Sequence, residues 1–415
     1  MKDGEVPPAP AEESPYAVLR NRNFLLYLIG RFVASFGGQM LTVAVGWELY
    51  ERTNSALALG LVGLTNIVPM FLFTLPAGHF ADNHDRKRLI VSMTALMGAA
   101  SVGLALCSFG HAPTSWIYAC LFVAASARTF LWPASSSFLP QLVSRRLFPR
   151  AVVWSTGSFQ LSSVLGPAAG GAVIALTHHA AWVYALHALS SVVCLTLVGL
   201  VHYQRATPPR EPMTRASLAA GFKFVFSSRI IFGIITLDMF AVLLGGATAL
   251  LPVYAKDILH VGPSGLGLLQ AALPVGSLLS ALVLAHRPLK KAGRALLWAV
   301  AGFGLATVGF GFSTSFVFSM AMLFICGITD NVSVLVRHTL VQLLTPDEKR
   351  GRVSAVNSLF IGTSNELGGF ESGFVAHAFG PVASVVSGGV GTVLVVLAVA
   401  WLWPEIRRYG RLDAD

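Results

Sequence analysis

Charge is what this sequence has least of. Lys, Arg, Asp and Glu together make up 12% of its 415 residues, about half the share of an ordinary soluble domain, while 54% are hydrophobic. So little charge cannot cover a water-facing surface, which excludes a soluble globular protein. Cysteine is scarce too. Cys107, Cys120, Cys194 and Cys326 each fall in an apolar stretch with no CxxC or ligand-like spacing. They read as small buried hydrophobes, so no metal site or disulfide framework is expected. No HExxH, GxSxG or G-x-x-x-x-G-K-(S/T) run occurs, which argues against a hydrolytic enzyme and an ATP-driven pump. Neither enzymatic activity nor a cofactor is expected. Residues 1–15 are rich in Pro and Glu and poor in apolar residues, unlike a cleavable leader, so the first apolar span should serve as its own insertion signal.

Long apolar runs are what the chain has in abundance. Six fall at 24–50, 57–80, 89–109, 116–139, 152–176 and 182–201, and six more at 230–254, 266–286, 295–312, 316–341, 353–379 and 382–403. Each is near or above the ~20 residues that cross a bilayer as helix. Helices are required because lipid offers backbone N–H and C=O groups no partner. The expected fold is an all-α membrane protein of twelve transmembrane helices in two pseudo-symmetric six-helix bundles. The formal charge of +10 could point to nucleic acid, but the positions of the cations decide otherwise. Of the 29 Lys and Arg, all but Arg31, Arg52, Arg128, Lys256 and Arg337 lie in the termini and in alternate loops. That is the positive-inside pattern, with both termini cytoplasmic and no nucleic-acid partner.

The expected organisation is a tail at 1–20, one bundle at 21–201, a linker at 202–228, a second bundle at 229–403 and a tail at 404–415. The linker carries Pro208, Pro209 and Pro212 among several cations. After it, Leu218, Phe222, Val225 and Phe226 share one helical face, either as a short interfacial helix or as the first turns of the next span. A repeat joins the halves: Gln141-Leu142-Val143-Ser144 before the fifth run matches Gln342-Leu343-Leu344-Thr345 before the eleventh, at an offset of 201. Paired six-helix units of this kind bind substrate at their interface.

Between the second and third runs lies Gly78-His79-Phe80-Ala81-Asp82-Asn83-His84-Asp85-Arg86-Lys87-Arg88. Gly78, Asp82, Asp85, Arg86 and Lys87, with Arg88 following, resemble the loop signature G-x-x-x-D-x-x-(G/D)-R-(K/R) of the major facilitator superfamily. Asn83 stands where relatives often carry another Arg. Gly46-Trp47-Glu48-Leu49-Tyr50-Glu51-Arg52-Thr53, Leu139-Pro140-Gln141-Leu142-Val143, Arg350-Gly351-Arg352-Val353-Ser354 and Ser364-Asn365-Glu366-Leu367-Gly368 are similar to its siderophore- and drug-export branch. The resemblance implies export of a small molecule driven by proton entry, and a monomer in the bacterial inner membrane, among lipids, is expected. It names no cargo, and uptake or lipid flipping fit the same layout. In its functional reading the loop is expected to act as a cytoplasmic gate. Asp82 pairs there with Arg86 or reaches the start of the eleventh helix; the bland alternative is that its cations only set topology. Gly166-Pro167-Ala168-Ala169-Gly170-Gly171 resembles the G-P-x-x-G-G element of antiporters, as a hinge or as small-residue packing.

Seven ionisable residues fall inside the runs: Arg31, Arg128, Asp238, Asp330, Arg337, Glu366 and Glu371. Facing lipid at mid-depth each costs ~3 kcal/mol, on the order of 20 together, so they pair or line a wet cavity. The family resemblance places the first, fourth, seventh and tenth helices around the central cavity. Arg31 and Asp238 sit at similar depths in repeat-related runs, and Arg128 shifted by the repeat offset lands beside Asp330. Arg31 and Arg128 are therefore expected to face Asp238 and Asp330 across the cleft. Protonation of either Asp would release that hold; a static network satisfying buried charge is the other reading. Glu366 and Glu371 are five residues apart, about 140° around a helix, so they cannot face one point. One is expected as a proton site and the other near the gate at Asp82, or bonded to a neighbouring helix. Arg337 is expected to snorkel or meet a loop acid, and His187 and His338 to be polar packing. Phe32, Phe36, Trp47, Phe71, Phe130, Trp132, Phe240 and Tyr254 could meet an aromatic cargo or simply pack.

Overall fold

The computed structural model describes residues 14, 16–203, 222–286 and 291–410, apart from the side chains of residues 75, 82, 347 and 348. Among these residues every regular element is helical. The first half holds α1 (Arg22–Thr53), α2 (Ala56–Asn83), α3 (Arg86–Phe109), α4 (Thr114–Leu142), α5 (Phe148–Thr177) and α6 (Ala181–Gly199). The second holds α7 (Arg229–Leu244), α8 (Gly262–His286), α9 (Ala292–Gly311), α10 (Phe316–Leu343), α11 (Asp347–Phe379) and α12 (Pro381–Leu402). Eleven are long and apolar enough to cross a membrane, α7 being counted with its continuation to Ile258. The twelfth, α11, is 33 residues long but carries Glu366, Glu371 and a charged first turn. Such a helix is tolerated in lipid only with its polar face turned into protein or water.

The seventh span departs from the uninterrupted 230–254 that its hydropathy predicts. Helix α7 stops at Leu244. The chain continues past Gly245 and Gly246 through a 3-10 turn (Ala247–Leu250), a short α-turn (Leu251–Val253) and a π-turn (Tyr254–Ile258). Two glycines weaken the helix, and a close approach uses the opening: a Cβ on Gly246 would sit 2.5 Å from the Gly368 carbonyl of α11. The linker also resolves in part. Residues 222–227 are helical and end at Ser228, whose φ of −92° and ψ of 103° break the run before α7. Val225 is buried with Val353 and Val356 of α11, and the Phe222 ring meets Phe360 at 6.1 Å. This stretch is thus a separate element; Leu218 lies outside the described residues.

Packing repeats between the halves. In the first, α1 packs on α5 and α6, α3 on α4 and α6, and α2 on α4. In the second, α7 packs on α11 and α12, α9 on α10 and α12, and α8 on α10, the same pattern six helices later. The halves meet along two seams, α2 with α11 and α5 with α8. At the end of the molecule away from the termini, one apolar core crosses between halves and joins Met40, Leu49 and Tyr184 to Leu251, Tyr254 and Leu266. At the terminus-bearing end each half has its own core, around Phe24, Ile90 and Phe138 in one and Ile234, Leu296 and Leu340 in the other. The two bundles are closed together at one end and separate at the other.

Candidate functional site

Midway along the α2–α11 seam, three helices bring polar groups together. Glu366 of α11 accepts a hydrogen bond from Asn66 Nδ2 of α2 at 3.2 Å. Its other oxygen lies 3.7 Å from Arg128 Nη2 of α4. That separation makes an ion pair without a good hydrogen bond. The Arg128 side chain is 58% exposed and that of Glu366 26%, so the pair borders open space rather than a sealed core. It is also the ion pair that joins the two halves among the described residues.

The expected facing of Arg31 and Arg128 against Asp238 and Asp330 is not found. Arg128 meets Glu366, while Asp238 pairs with Arg337 inside the second half. Both members of that second pair are buried, Arg337 at 3% exposure and Asp238 at 8%, so Arg337 neither snorkels nor meets a loop acid. Repeat arithmetic fixes depth along a helix but not the direction round it, and a side chain's partner depends on both. Among the described residues Arg31 forms no ion pair, and Asp330, half-buried on α10, neither an ion pair nor a hydrogen bond. Glu371 accepts from Ser372 Oγ at 3.4 Å. The expectation that one of the two glutamates approaches the gate loop fails on distance. Glu366 sits level with Asn66 of α2, 16 residues and about 24 Å along that helix from Asp82.

The α2–α3 loop is held by its own half. Asp85 caps α3 by accepting from the Arg88 N–H at 3.1 Å, and accepts from Tyr203 Oη at 2.7 Å. Burial pushes its carboxyl up, but those two bonds, a backbone contact with Lys87 and the charge of Arg88 outweigh it and hold the carboxyl below its ordinary value. Lys87 Nζ donates to the Gly199 and Val201 carbonyls at 2.6 and 2.8 Å, binding α3 to the end of α6, where cations are favoured. Arg86 is buried and Gly78 has open space about it. The pairing expected for Asp82 concerns a side chain outside the described residues. Because the carboxyl is depressed in the fold, the Asp85 contribution is complete above the unfolded-state pKa and vanishes as pH falls through the folded one. Asp85→Ala should therefore cost about 1 kcal/mol near neutrality and almost nothing at strongly acid pH, as read by unfolding at the two pH values.

At the closed end a clasp joins the halves. Tyr50 Oη donates to Asp257. Lys256 Nζ donates to Asn54 Oδ1 at 2.6 Å and stands 5.4 Å over the Tyr50 ring. Sequence reasoning missed this set, yet one signal was present: Lys256 and Arg52 are the two loop cations that break the positive-inside pattern. Arg52 has a different use. It pairs with the buried Glu48 and donates to the Ala112 and Ser108 carbonyls at 2.9 and 3.1 Å, tying α1 to the end of α3. Among the aromatics, Trp47 and Tyr254 are core residues, whereas Trp132 is 76% exposed.

The G-P-x-x-G-G segment packs α5 between two partners. Gly166 and Gly170 abut Gln39 and Met40 of α1, while a Cβ on Gly171 would lie 2.3 Å from the Pro263 carbonyl at the start of α8. The reverse holds for Gly267 of α8, whose Cβ would meet the Pro167 carbonyl at 2.4 Å. Gly171→Val should pry the α5–α8 seam apart and lower thermal stability by about 1–3 kcal/mol, the usual cost of overpacking. An unfolding midpoint equal to the parent's would contradict the contact.

Comparison with known proteins places this layout. A family model described as transmembrane secretion effector, of the major facilitator type, matches residues 13–409. The chain belongs to the major facilitator superfamily. Among curated proteins it is 29% identical to the enterobactin exporter EntS of Citrobacter koseri over 398 residues, and 28% identical to that of Shigella boydii serotype 18 over 396. Each alignment covers 93% of both chains. Among solved structures, a POT family transporter in complex with 5-aminolevulinic acid superposes with a TM-score of 0.74 at 12% identity, covering 93% of this chain and 97% of that one. A bacterial homologue of the lysosomal transporter Spinster, inward-facing and unoccupied, gives 0.71 at 15%, covering 93% and 96%. At such identities the likeness is one of fold. This major facilitator protein is a multi-pass membrane transporter and not an enzyme.

Proposed function

We propose that the chain exports a small amphiphilic molecule of the siderophore class across the bacterial inner membrane, exchanging it for protons by alternating access. One observation carries this reading: Arg128, Glu366 and Asn66 link both halves beside open space, on a seam that must move for access to alternate. The names of the relatives support the cargo class. With the termini cytoplasmic, as the cation pattern predicts, the closed end faces outward and the conformer faces inward. A proton reaching Glu366 cancels the charge that attracts Arg128 and loosens the α2–α11 seam. Arg31 and Asp330, on α1 and α10, supply further charge to the cleft, with Glu371 deeper along α11. Asp238, committed to Arg337, stays out of the cycle. The gate loop from Gly78 to Arg88 and the Gly166–Gly171 segment act at the cytoplasmic end and at the α5–α8 seam. The decisive experiment compares siderophore secretion by cells with and without the gene, each with and without a protonophore. Secretion that needs the gene but ignores the protonophore would overturn proton exchange; secretion indifferent to the gene would overturn the cargo.

The outward clasp gives a separate expectation. Its contacts are worth roughly 0.5–1 kcal/mol each. Lys256→Gln combined with Tyr50→Phe removes all three and should shift the balance toward the outward-open form about 10- to 150-fold. Spin labels at Glu51 and His260, both exposed, should report a longer distance population in the double variant. An unaltered distribution would remove the clasp from the mechanism.

A further inference from the structure

On the perimeter of the first half, α2 and α3 diverge from their loop and leave a groove floored by α4, enclosing about 710 Å³. It is separate from the cleft. Its lining comes from the first half alone, and the α4 residues beneath it, Ser126, Ala127 and Phe130, lie away from the direction in which Arg128 points to the seam. Phe80 and Leu96 on its walls are 44% and 38% exposed. In a membrane-spanning bundle that surface is covered by acyl chains. The groove is not uniformly apolar, however. Its mouth at the loop end is formed by Asn83, His84, Asp85 and Arg88, whereas Met93 and Leu96 lie below. Leu96 is two helical turns on from Arg88, about 12 Å deeper.

A polar rim over such a wall has the profile of an amphiphile standing along the bilayer normal. The rim also chooses the headgroup. Asp85 is already engaged by Tyr203 Oη and the Arg88 N–H, so a cationic headgroup would compete for an occupied acceptor. The His84 ring is stacked on Phe80 with centroids 4.6 Å apart. Arg88 is exposed, and among the described residues its guanidinium makes no hydrogen bond or ion pair, Asp85 being its charged neighbour. The first turn of α3 adds its dipole at the same place, which favours an anion.

We propose that this groove binds one anionic phospholipid of the phosphatidylglycerol type, its phosphate on Arg88 and one acyl chain along Phe80, Met93, Leu96 and Phe130. The site is independent of the cargo assigned above. The test uses the full chain in phosphatidylcholine nanodiscs carrying a trace of phosphatidylglycerol with a photoreactive diazirine on its acyl chain, against phosphatidylcholine bearing the same group. Phosphatidylglycerol should label peptides covering 89–96 and 126–130 in preference to phosphatidylcholine. Arg88→Gln should lower that labelling about fivefold, the weight of one interfacial cation against anionic lipid. Leu96→Trp, which obstructs the acyl-chain track and keeps the cation, should lower it as well, and it carries the test if Arg88→Gln does not fold. Equal labelling by the two lipids, or phosphatidylglycerol labelling that survives both substitutions, would reduce the groove to ordinary lipid contact. Displacement of the label by excess enterobactin would make it a cargo port and overturn the proposal.

Discussion

Arg337→Met should destabilise this transporter by about 3–5 kcal/mol, the cost of breaking a buried ion pair from one side. Asp238 and Arg337 lie at 8% and 3% exposure, with water shut out and α7 packed on α11 and α12. Removing the guanidinium strands a carboxylate in that setting, and each 1.4 kcal/mol is tenfold, so the unfolding equilibrium should move by two decades or more. Asp238→Asn paired with Arg337→Met removes both charges and should recover most of the loss, because the pair's own attraction barely exceeds its desolvation. Denaturant unfolding of the solubilised protein decides the point. A double variant no more stable than Arg337→Met alone would show that packing, and not the charge left behind, sets the cost.

That pair also shows where reading a sequence stops. The twelve spans were legible because burial in lipid is written along one dimension, as runs of apolar residues, and α11 was recognisable despite Glu366 and Glu371. The α2–α3 loop signature and the repeat at Gln141 and Gln342 were legible for the same reason: spacing along the chain carries them. Partners are set in the other two dimensions. Arg31, Arg128, Asp238 and Asp330 were correctly picked out as ionisable groups within the spans, yet depth alone could not say that Asp238 turns toward Arg337 or that Arg128 reaches Glu366. The break in α7 had a sign in Gly245-Gly246, whose meaning depends on Gly368 lying opposite. The clasp of Tyr50, Asn54, Lys256 and Asp257 combines loop ends from two halves some two hundred residues apart, and nothing local marks it except one cation on the wrong side.

The seam pair leads to the largest functional effect. Glu366→Gln keeps the size of the side chain and an acceptor for Asn66 Nδ2, but removes the charge facing Arg128. If protonation of Glu366 is the step that couples proton influx to export, the variant is held in the protonated form. It should still exchange cargo down a gradient while losing the ability to build one. The size of that loss follows from the driving force. One proton moving inward through 100 mV supplies ~2.3 kcal/mol, which corresponds to a concentration ratio of about 50. In inverted membrane vesicles energised to that potential, cargo accumulation should therefore drop from tens-fold to near unity in Glu366→Gln, with downhill exchange retained. Arg128→Gln should fail differently, since the carboxylate left on α11 loses its partner across the seam and downhill exchange slows as well. Asp238→Asn, on the same assay, should lower the amount of folded protein without lowering the ratio each folded molecule sustains. Accumulation by Glu366→Gln equal to the parent's would move the proton to another group, with Asp330, half-buried and unpaired among the described residues, as the next carboxylate to neutralise.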